Sequence, residues 1–194
     1  MNLLNRRRAL QTLLAASALP TVASNAQSPP DVAALLRAGG CVLMLRHAQT
    51  EAGFGDPPNF QLGQCSTQRN LSDEGRAQSK RIAQWFASRK LLANSVQSSA
   101  WCRCKDTATL AFGRFDLLPA LNSTFDNRSS QAAQTEALAE RLKGIRAGQF
   151  EVWVTHQVNI SAMTGEGPAM GEGFVVKPGS GSSAGQVIAR TNFV

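Results

Sequence analysis

The feature that most restricts the fold is a continuous apolar run at residues 41–45, directly after two glycines. Such a run without helical spacing is typical of a strand buried on both faces at the centre of a sheet. Other strand-like segments lie at 95–98, 115–118, 150–154, 174–177 and 186–189, and helical patterns lie at 31–38, 73–89, 101–112, 131–146 and 158–164. This alternation predicts an α/β fold, a three-layer α/β/α sandwich around a mostly parallel sheet.

The N-terminus has the order of a cleavable export signal. Arg6–Arg8 precede a modestly apolar run at 9–18 and a small-residue stretch that ends at Ala26. Residues 1–26 are therefore predicted to be a signal peptide, and residues 27–194 a single domain in the periplasm. Because the arginine cluster also resembles a twin-arginine box, both the Sec and the Tat route stay open. No stretch is long enough to predict stable membrane insertion after cleavage.

The charge of the chain depends on this signal. Loss of Arg6–Arg8 lowers the formal net charge from +7 to +4. Aromatic residues make up 6% of the chain, tyrosine is absent, and the cations are scattered rather than gathered in a stripe. This pattern argues against nucleic-acid binding and is compatible with a small anionic substrate.

Four cysteines, an even number, are expected in an oxidising compartment to include a disulfide. Cys65 lies in the loop after the first strand, and Cys102 and Cys104 flank Arg103. Successive helical residues point about 100° apart, so at most one of the two can meet Cys65. Cys41 is expected to be a free buried thiol. The cysteine spacing and a total of two histidines argue against a metal site.

Unusual polar residues follow three of the predicted strands. Arg46 and His47 come directly after the first strand, Arg103 follows the second, and His156 follows the strand at 150–154. Ligands of parallel sheets bind beyond the carboxyl ends of the strands. We therefore expect these side chains to meet at one site.

These segments resemble the histidine phosphatase superfamily, the phosphoglycerate mutase-like group. Residues 43–50 are similar to its Arg-His-Gly-x-Thr/Ser signature and residues 98–108 to its Ser-x(4)-Arg-x(3)-Thr-Ala block. Residues 71–78 and 154–156 match its helix start and its last histidine block, so the resemblance covers about residues 40–190. It implies a phosphoglycerate mutase-like sheet in which the strand at 174–177 runs antiparallel beside the first.

The resemblance also implies roles for the site residues. His47 would attack phosphorus and carry a phosphohistidine, and His156 would donate to an equatorial oxygen. Arg46 and Arg103 would bind phosphate oxygens as guanidinium forks, and the hydroxyl of Thr50 would add a donor. This chemistry rests on positioning and charge, so neither a metal nor another cofactor is expected.

The proton donor to the leaving alkoxide is harder to assign. Ser123 stands where one branch of the family carries a glutamate, and Gln157 where the other carries an aspartate. Asp126 and Glu172 remain as candidates. Glu172 is preferred, because its strand should begin at the active edge of the sheet.

Two further positions depart from the family pattern. Ala48 replaces the motif glycine, a small change that the motif should tolerate. Gly53 stands where many members carry a phosphate-contacting asparagine, so one phosphate contact is missing or is supplied by another residue.

The predicted function is hydrolysis of a phosphomonoester, either a phosphorylated small molecule or an envelope glycan phosphate. A phosphomutase is a second possibility, although export argues against it. A non-catalytic phosphate- or sugar-phosphate-binding protein on the same fold is a third. The sequence gives no indication of the oligomeric state.

Overall fold

The structure, a computed structural model, describes residues 31–180 and 183–194. The signal peptide predicted for residues 1–26 lies outside the described residues. The strands are β1 Cys41–Arg46, β2 Ser95–Ser98, β3 Asp116–Leu117, β4 Phe150–Thr155, β5 Gly173–Pro178 and β6 Gly185–Thr191. The helices are α1 Val32–Ala38, α2 Asp73–Ser88, α3 Cys102–Phe112, α4 Gln131–Lys143 and α5 Gln157–Thr164.

The strands form one sheet in the order β3-β2-β4-β1-β5-β6. β1 pairs with β4, β4 with β2 and β2 with β3 in parallel, whereas β5 is antiparallel to both β1 and β6. The mostly parallel sheet with an antiparallel strand beside the first is therefore confirmed. The carboxyl ends of β1, β2 and β4 meet at one edge, next to the start of β5.

Helices cover both faces of the sheet, which confirms the three-layer sandwich. Alternate residues of β1 point to opposite faces, so Leu43 and Leu45 join one core while Val42 and Met44 join the other. The first core is closed by α1, α2 and α3, with the large side chains Ile82, Trp85 and Phe86. The second core is closed by α4 and α5, with Leu138, Leu142, Ile160 and Met163.

Most elements differ from the sequence prediction by one or more residues, and three of these differences have a local cause. β3 has two residues instead of four, because Pro119 starts a turn of 3-10 helix directly behind it. α4 ends at Lys143 rather than at residue 146, with Gly144 as its C-cap. β6 is longer than predicted, because its pairing with β5 continues to Thr191.

The start of α2 lies against the loop that follows β1. Ser72 caps α2 by accepting from the backbone N of Gly75, and its own backbone N donates to the carbonyl of Gln49. A Cβ on Gly75 would lie 1.8 Å from that carbonyl oxygen. Glycine is therefore required here so that the helix can approach the loop.

A disulfide joins Cys65 to Cys102, and Cys41 and Cys104 are buried free thiols. The predicted bridge is thus confirmed, with Cys102 as the partner of Cys65. It fastens the loop after β1 to the first residue of α3, next to Arg103. Within the described ranges, no helix has both the length and the apolar character to cross a membrane.

Candidate active site

The two histidines meet because β1 and β4 are adjacent and parallel. Arg46 lies opposite Thr155 in the register, and the backbone N of His47 donates to the carbonyl of Thr155 at 2.9 Å. His156 follows directly after the end of β4 and is the N-cap of α5. The two imidazole rings consequently lie edge to face with their centroids 5.5 Å apart, and both are almost fully buried.

The imidazole of His47 is held neutral and in one tautomer. Its Nδ1 lies 2.9 Å from the carbonyl oxygen of Ala48, so Nδ1 carries the proton and the lone pair lies on Nε2. Burial, followed by the positive charge of Arg103, lowers the pKa of His47 to about 3. The ring is therefore unprotonated near neutral pH, as an attacking imidazole must be.

The imidazole of His156 is held by a second set of contacts. Its Nε2 lies 2.9 Å from the hydroxyl of Ser99, which itself donates to Asn122, and Arg103 Nη2 lies 3.5 Å from Nδ1. Burial, then the charge of the neighbouring groups, lowers its pKa well below the ordinary value. Burial also raises the pKa of the adjacent Cys104 thiol to about 12, so that thiol is no nucleophile at neutral pH.

A buried carboxylate fixes Arg103. Arg103 Nη1 donates to Asp56 Oδ1 at 2.7 Å, and Trp101 Nε1 donates to Asp56 Oδ2 at 3.0 Å. The side chains of this ion pair are 5% and 3% exposed. Burial alone would raise the pKa of Asp56, but hydrogen bonds from Arg103, the Arg69 backbone and Trp101 together lower it. Asp56 is therefore ionised and orients the guanidinium.

A third arginine, Arg69, lies beside this pair. Its Nη1 donates to the Thr50 hydroxyl at 2.8 Å and to the Gly53 carbonyl at 3.1 Å. The hydroxyl of Thr50 thus supports Arg69, and Thr50 is not brought to the cavity wall.

Three guanidinium groups are concentrated at one edge of the sheet. Arg46 is held by the carbonyl of Pro168 at 2.8 Å. Burial, and then nearby cations, lower the pKa values of Arg46 and Arg69, although arginine stays protonated. Within the part of the chain that the structure describes, the buried Nε of Arg46, Arg69 and Arg103 has no acceptor. A cluster of three guanidinium groups suits an oxyanion with several acceptor atoms.

These groups surround a cavity of about 450 Å³ at the carboxyl edge of the sheet. Its wall contains all four residues of the predicted Arg-His-Arg-His set. The lining residues are Arg46, His47, Gly53, Phe54, Gly55, Asp56, Arg69, Arg103, Ser123, Phe125, Asp126, Arg128, His156, Gln157, Val158 and Met170.

The acid candidates occupy different places. Asp126 is exposed and lines the cavity. Ser123 and Gln157, the positions at which the family resemblance implied an acid, also line it. Glu172 is not among the lining residues. Its carboxylate accepts from the backbone N of Ala169 at 2.7 Å. The structure therefore brings Asp126, and not the preferred Glu172, to the site.

Sequence reasoning missed Asp56, Arg69, Ser99 and Asn122. Arg69 is the sole cation in the predicted loop 49–70, and Asp56 is one of two acids there. Clustered arginines need a buried counter-charge, and Asp56 is one of the two acids in this loop that could supply it. Nothing in the sequence showed that Ser99 would hold His156 or that Asn122 would hold Ser99.

The arrangement can bind a phosphoryl dianion and place a neutral imidazole nitrogen against it. The guanidinium groups of Arg46, Arg69 and Arg103 supply the positive charge at this site. Among residues 31–180 and 183–194, no cluster of three or more histidine, cysteine, aspartate or glutamate side chains is placed to hold a metal ion.

Comparisons with known proteins agree with this geometry. The family model of the histidine phosphatase superfamily (branch 1) matches residues 42–169. A search of curated protein sequences gives no significant match.

Solved structures show the same fold at low identity. SixA of Agrobacterium tumefaciens, described as a phosphohistidine phosphatase, aligns at 20% identity and TM-score 0.50, over 78% of this chain and 97% of its own. An Escherichia coli protein described as an alpha-ribazole-5'-P phosphatase aligns at 14% identity and TM-score 0.52, over 77% of this chain and 95% of its own. TTHB049 of Thermus thermophilus aligns at 22% identity and TM-score 0.51, over 77% of this chain and 98% of its own.

The family model covers well over half of the chain, and the ordered motifs and the sheet topology agree with it. The chain belongs to the histidine phosphatase superfamily.

Proposed function

We propose that this protein hydrolyses phosphomonoesters through a phosphohistidine formed on His47. The observation that carries the proposal is the neutral imidazole of His47 at the wall of a cavity with three guanidinium groups. Its Nδ1 proton is donated to the Ala48 carbonyl, which leaves the Nε2 lone pair for attack. The substrate would be a phosphorylated small molecule or an envelope glycan phosphate.

The reaction has two transfers. In the first, Nε2 of His47 attacks phosphorus, the P–N bond forms, and the P–O bond to the alcohol breaks. The leaving oxygen takes a proton from a carboxylic acid, and the alcohol departs. In the second, water attacks the phosphohistidine while the carboxylate takes a proton from that water, so the P–N bond breaks, the carboxylic acid is restored and inorganic phosphate leaves. Arg46, Arg69 and Arg103 hold the phosphoryl oxygens throughout.

His156 stabilises the charge that develops on an equatorial oxygen. In the described geometry its Nε2 proton is donated to Ser99, and its Nδ1 carries the lone pair. A phosphoryl dianion next to the ring favours the protonated imidazole, so its pKa rises when substrate binds. Nδ1 then acquires the proton that it donates to the substrate.

Asp126 is the proton donor that we propose, in place of Glu172. Asp126 lies in the cavity wall, whereas the Glu172 carboxylate accepts from Ala169 N. The residues at the usual acid positions, Ser123 and Gln157, carry no titratable proton. The donor therefore comes from a different position of the same wall.

Metal independence and export are part of the proposal. The guanidinium groups of Arg46, Arg69 and Arg103 supply the positive charge that a metal ion would provide in another phosphatase. The Cys65–Cys102 disulfide supports a periplasmic location, because disulfides persist in oxidising compartments.

The test is turnover of p-nitrophenyl phosphate by the protein and its variants. His47→Ala should abolish turnover, and Arg103→Ala and His156→Ala should lower it by on the order of 10²-fold. The exposed Arg114, outside the cavity wall, gives the matched control Arg114→Ala, which should retain full activity. EDTA should have no effect, and vanadate should inhibit. Wild-type activity in His47→Ala would overturn the proposal.

The same assay separates the alternative functions. A non-catalytic binding protein would bind p-nitrophenyl phosphate but would not release p-nitrophenol. A phosphomutase would return the phosphoryl group to an alcohol, so release of inorganic phosphate would fall behind release of p-nitrophenol. Equal release of both products is the result expected of a hydrolase.

A further inference from the structure

We propose that Phe54 and Phe125, the aromatic rim of the cavity, bind an aromatic ring carried by the alcohol part of the substrate. This inference rests on the proposed function and names its substrate class. The substrate is a phosphomonoester in which a short linker joins the phosphate to a flat aromatic group.

The first support is the unusual exposure of the two rings. Phe54 is 88% exposed and Phe125 is 40% exposed, although both are large apolar side chains. They lie edge to face, with ring centroids 5.1 Å apart, and both line the cavity. Aromatic rings that converge from two separate loops beside a polar cavity offer faces and edges on which a third ring can stack.

The second support is the loop that presents Phe54. Gly53 and Gly55, its neighbours, have φ of +137° and +72°, in the region that favours glycine. A Cβ on Gly55 would lie 3.6 Å from Cε1 of Phe125, so the Gly55 backbone packs beside that ring. The turn therefore holds Phe54 at the mouth of the cavity, away from the core.

The third support is the separation of charge from apolar surface. His47, Arg103 and His156 are 3–4% exposed and form the floor of the cavity. A phosphoryl group bound at this floor leaves its alcohol part pointing toward the mouth. The aromatic rim is what that part meets, with Arg128 and Asp126 as the charged neighbours.

The experiment compares 2-phenylethyl phosphate with ethyl phosphate. Both have primary alkyl leaving groups of similar basicity, so the ring is the main difference. We expect kcat/KM to be on the order of tenfold higher for the phenylethyl ester. Phe54→Ala/Phe125→Ala should remove this preference, so that kcat/KM becomes equal for the two esters. Leu92→Ala is the matched control, because Leu92 is an apolar side chain that is 81% exposed at another part of the surface. This variant should keep the preference for the phenylethyl ester.

Binding of the two corresponding phosphonates, measured by calorimetry, separates this inference from the proposed function. Tighter binding of phenylethylphosphonate that is lost in the double variant supports the aromatic rim, even if no ester is hydrolysed. Equal binding and equal turnover of the two compounds would overturn it. An equal gain for the 2-cyclohexylethyl compounds would also overturn it, since any apolar ring would then suffice.

Discussion

At the residue scale, the site depends on keeping two imidazoles neutral among cations. His47 and His156 are buried beside three arginines, and both burial and charge oppose their protonation. In the proposed reaction the arginines bind the dianion, and the neutral His47 ring remains nucleophilic. Asp56 compensates part of the positive charge and keeps Arg103 in place.

One consequence is a dependence of stability on pH. The folded-state pKa of His47 is about 3, below the value of about 6.5 in the unfolded chain. Between these values the unfolded chain binds more protons, so the free energy of unfolding falls as the pH is lowered. The slope is at most about 1.4 kcal/mol per pH unit for this histidine. The free energy of unfolding can be measured with urea between about pH 4 and 6. For His47→Gln it should change with pH less steeply than for the wild type, by up to about that amount. Parallel slopes for the two proteins would contradict the assignment.

A second consequence concerns the proton donor. Asp126→Asn should lower kcat for ethyl phosphate by on the order of 10²-fold, because an alkoxide leaves poorly without a proton. Turnover of p-nitrophenyl phosphate should change little, since that leaving group departs unprotonated. Glu172→Gln is the control and should affect both substrates alike. If Glu172→Gln instead lost activity on ethyl phosphate and kept it on p-nitrophenyl phosphate, Glu172 would be the proton donor.

At the element scale, the loop between β1 and α2 supplies much of the site. It carries Phe54, Asp56 and Arg69, although it has little regular structure. Its anchors are the Cys65–Cys102 disulfide and the hydrogen bond from the Cys102 backbone N to Gln68 Oε1 at 2.9 Å. Both anchors fix the loop to the start of α3, next to Arg103.

Loss of the disulfide should therefore weaken both the fold and the site. Cys65→Ala/Cys102→Ala should lower the free energy of unfolding by about 4 kcal/mol, as expected for a bridge between residues 37 apart in the sequence. KM for p-nitrophenyl phosphate should rise, because Asp56 and Arg69 lose their support. A reductant should reproduce the effect in the wild type and do nothing further to the double variant. Non-reducing peptide maps with four free thiols would contradict the bridge.

At the scale of the whole molecule, the alternation of strands and helices predicted the architecture. The central buried strand could be recognised because residues 41–45 are continuously apolar. The two histidines follow adjacent parallel strands. Arg46, His47 and His156 could be predicted because strand order and register bring them together, and Arg103 because α3 begins shortly after the end of β2.

The parts that could not be predicted depend on long-range contacts. Asp56 is recognisable only once the loop folds back onto Arg103, 47 residues further along the chain. Thr50 and Glu172 carry suitable groups, but Arg69 and the Ala169 backbone engage them. Local sequence gives no sign of such competition for a hydroxyl or a carboxylate.

Export is also a property of the whole chain. The Arg6–Arg8 cluster and the apolar run behind it predict cleavage near Ala26. Expression of the full chain in a bacterium with a periplasm should yield a periplasmic protein whose mass corresponds to a start near Gln27. A soluble cytoplasmic protein that retains Met1 would contradict export.

The central claim is the covalent phosphohistidine on His47. Rapid quenching of the wild-type protein during turnover of an aryl phosphate, followed by peptide mass spectrometry, tests it most directly. We expect one acid-labile, base-stable phosphoryl group on the peptide that contains His47, and none in His47→Ala. Turnover that continues in His47→Ala, or a phosphoryl group found on another residue, would contradict the account.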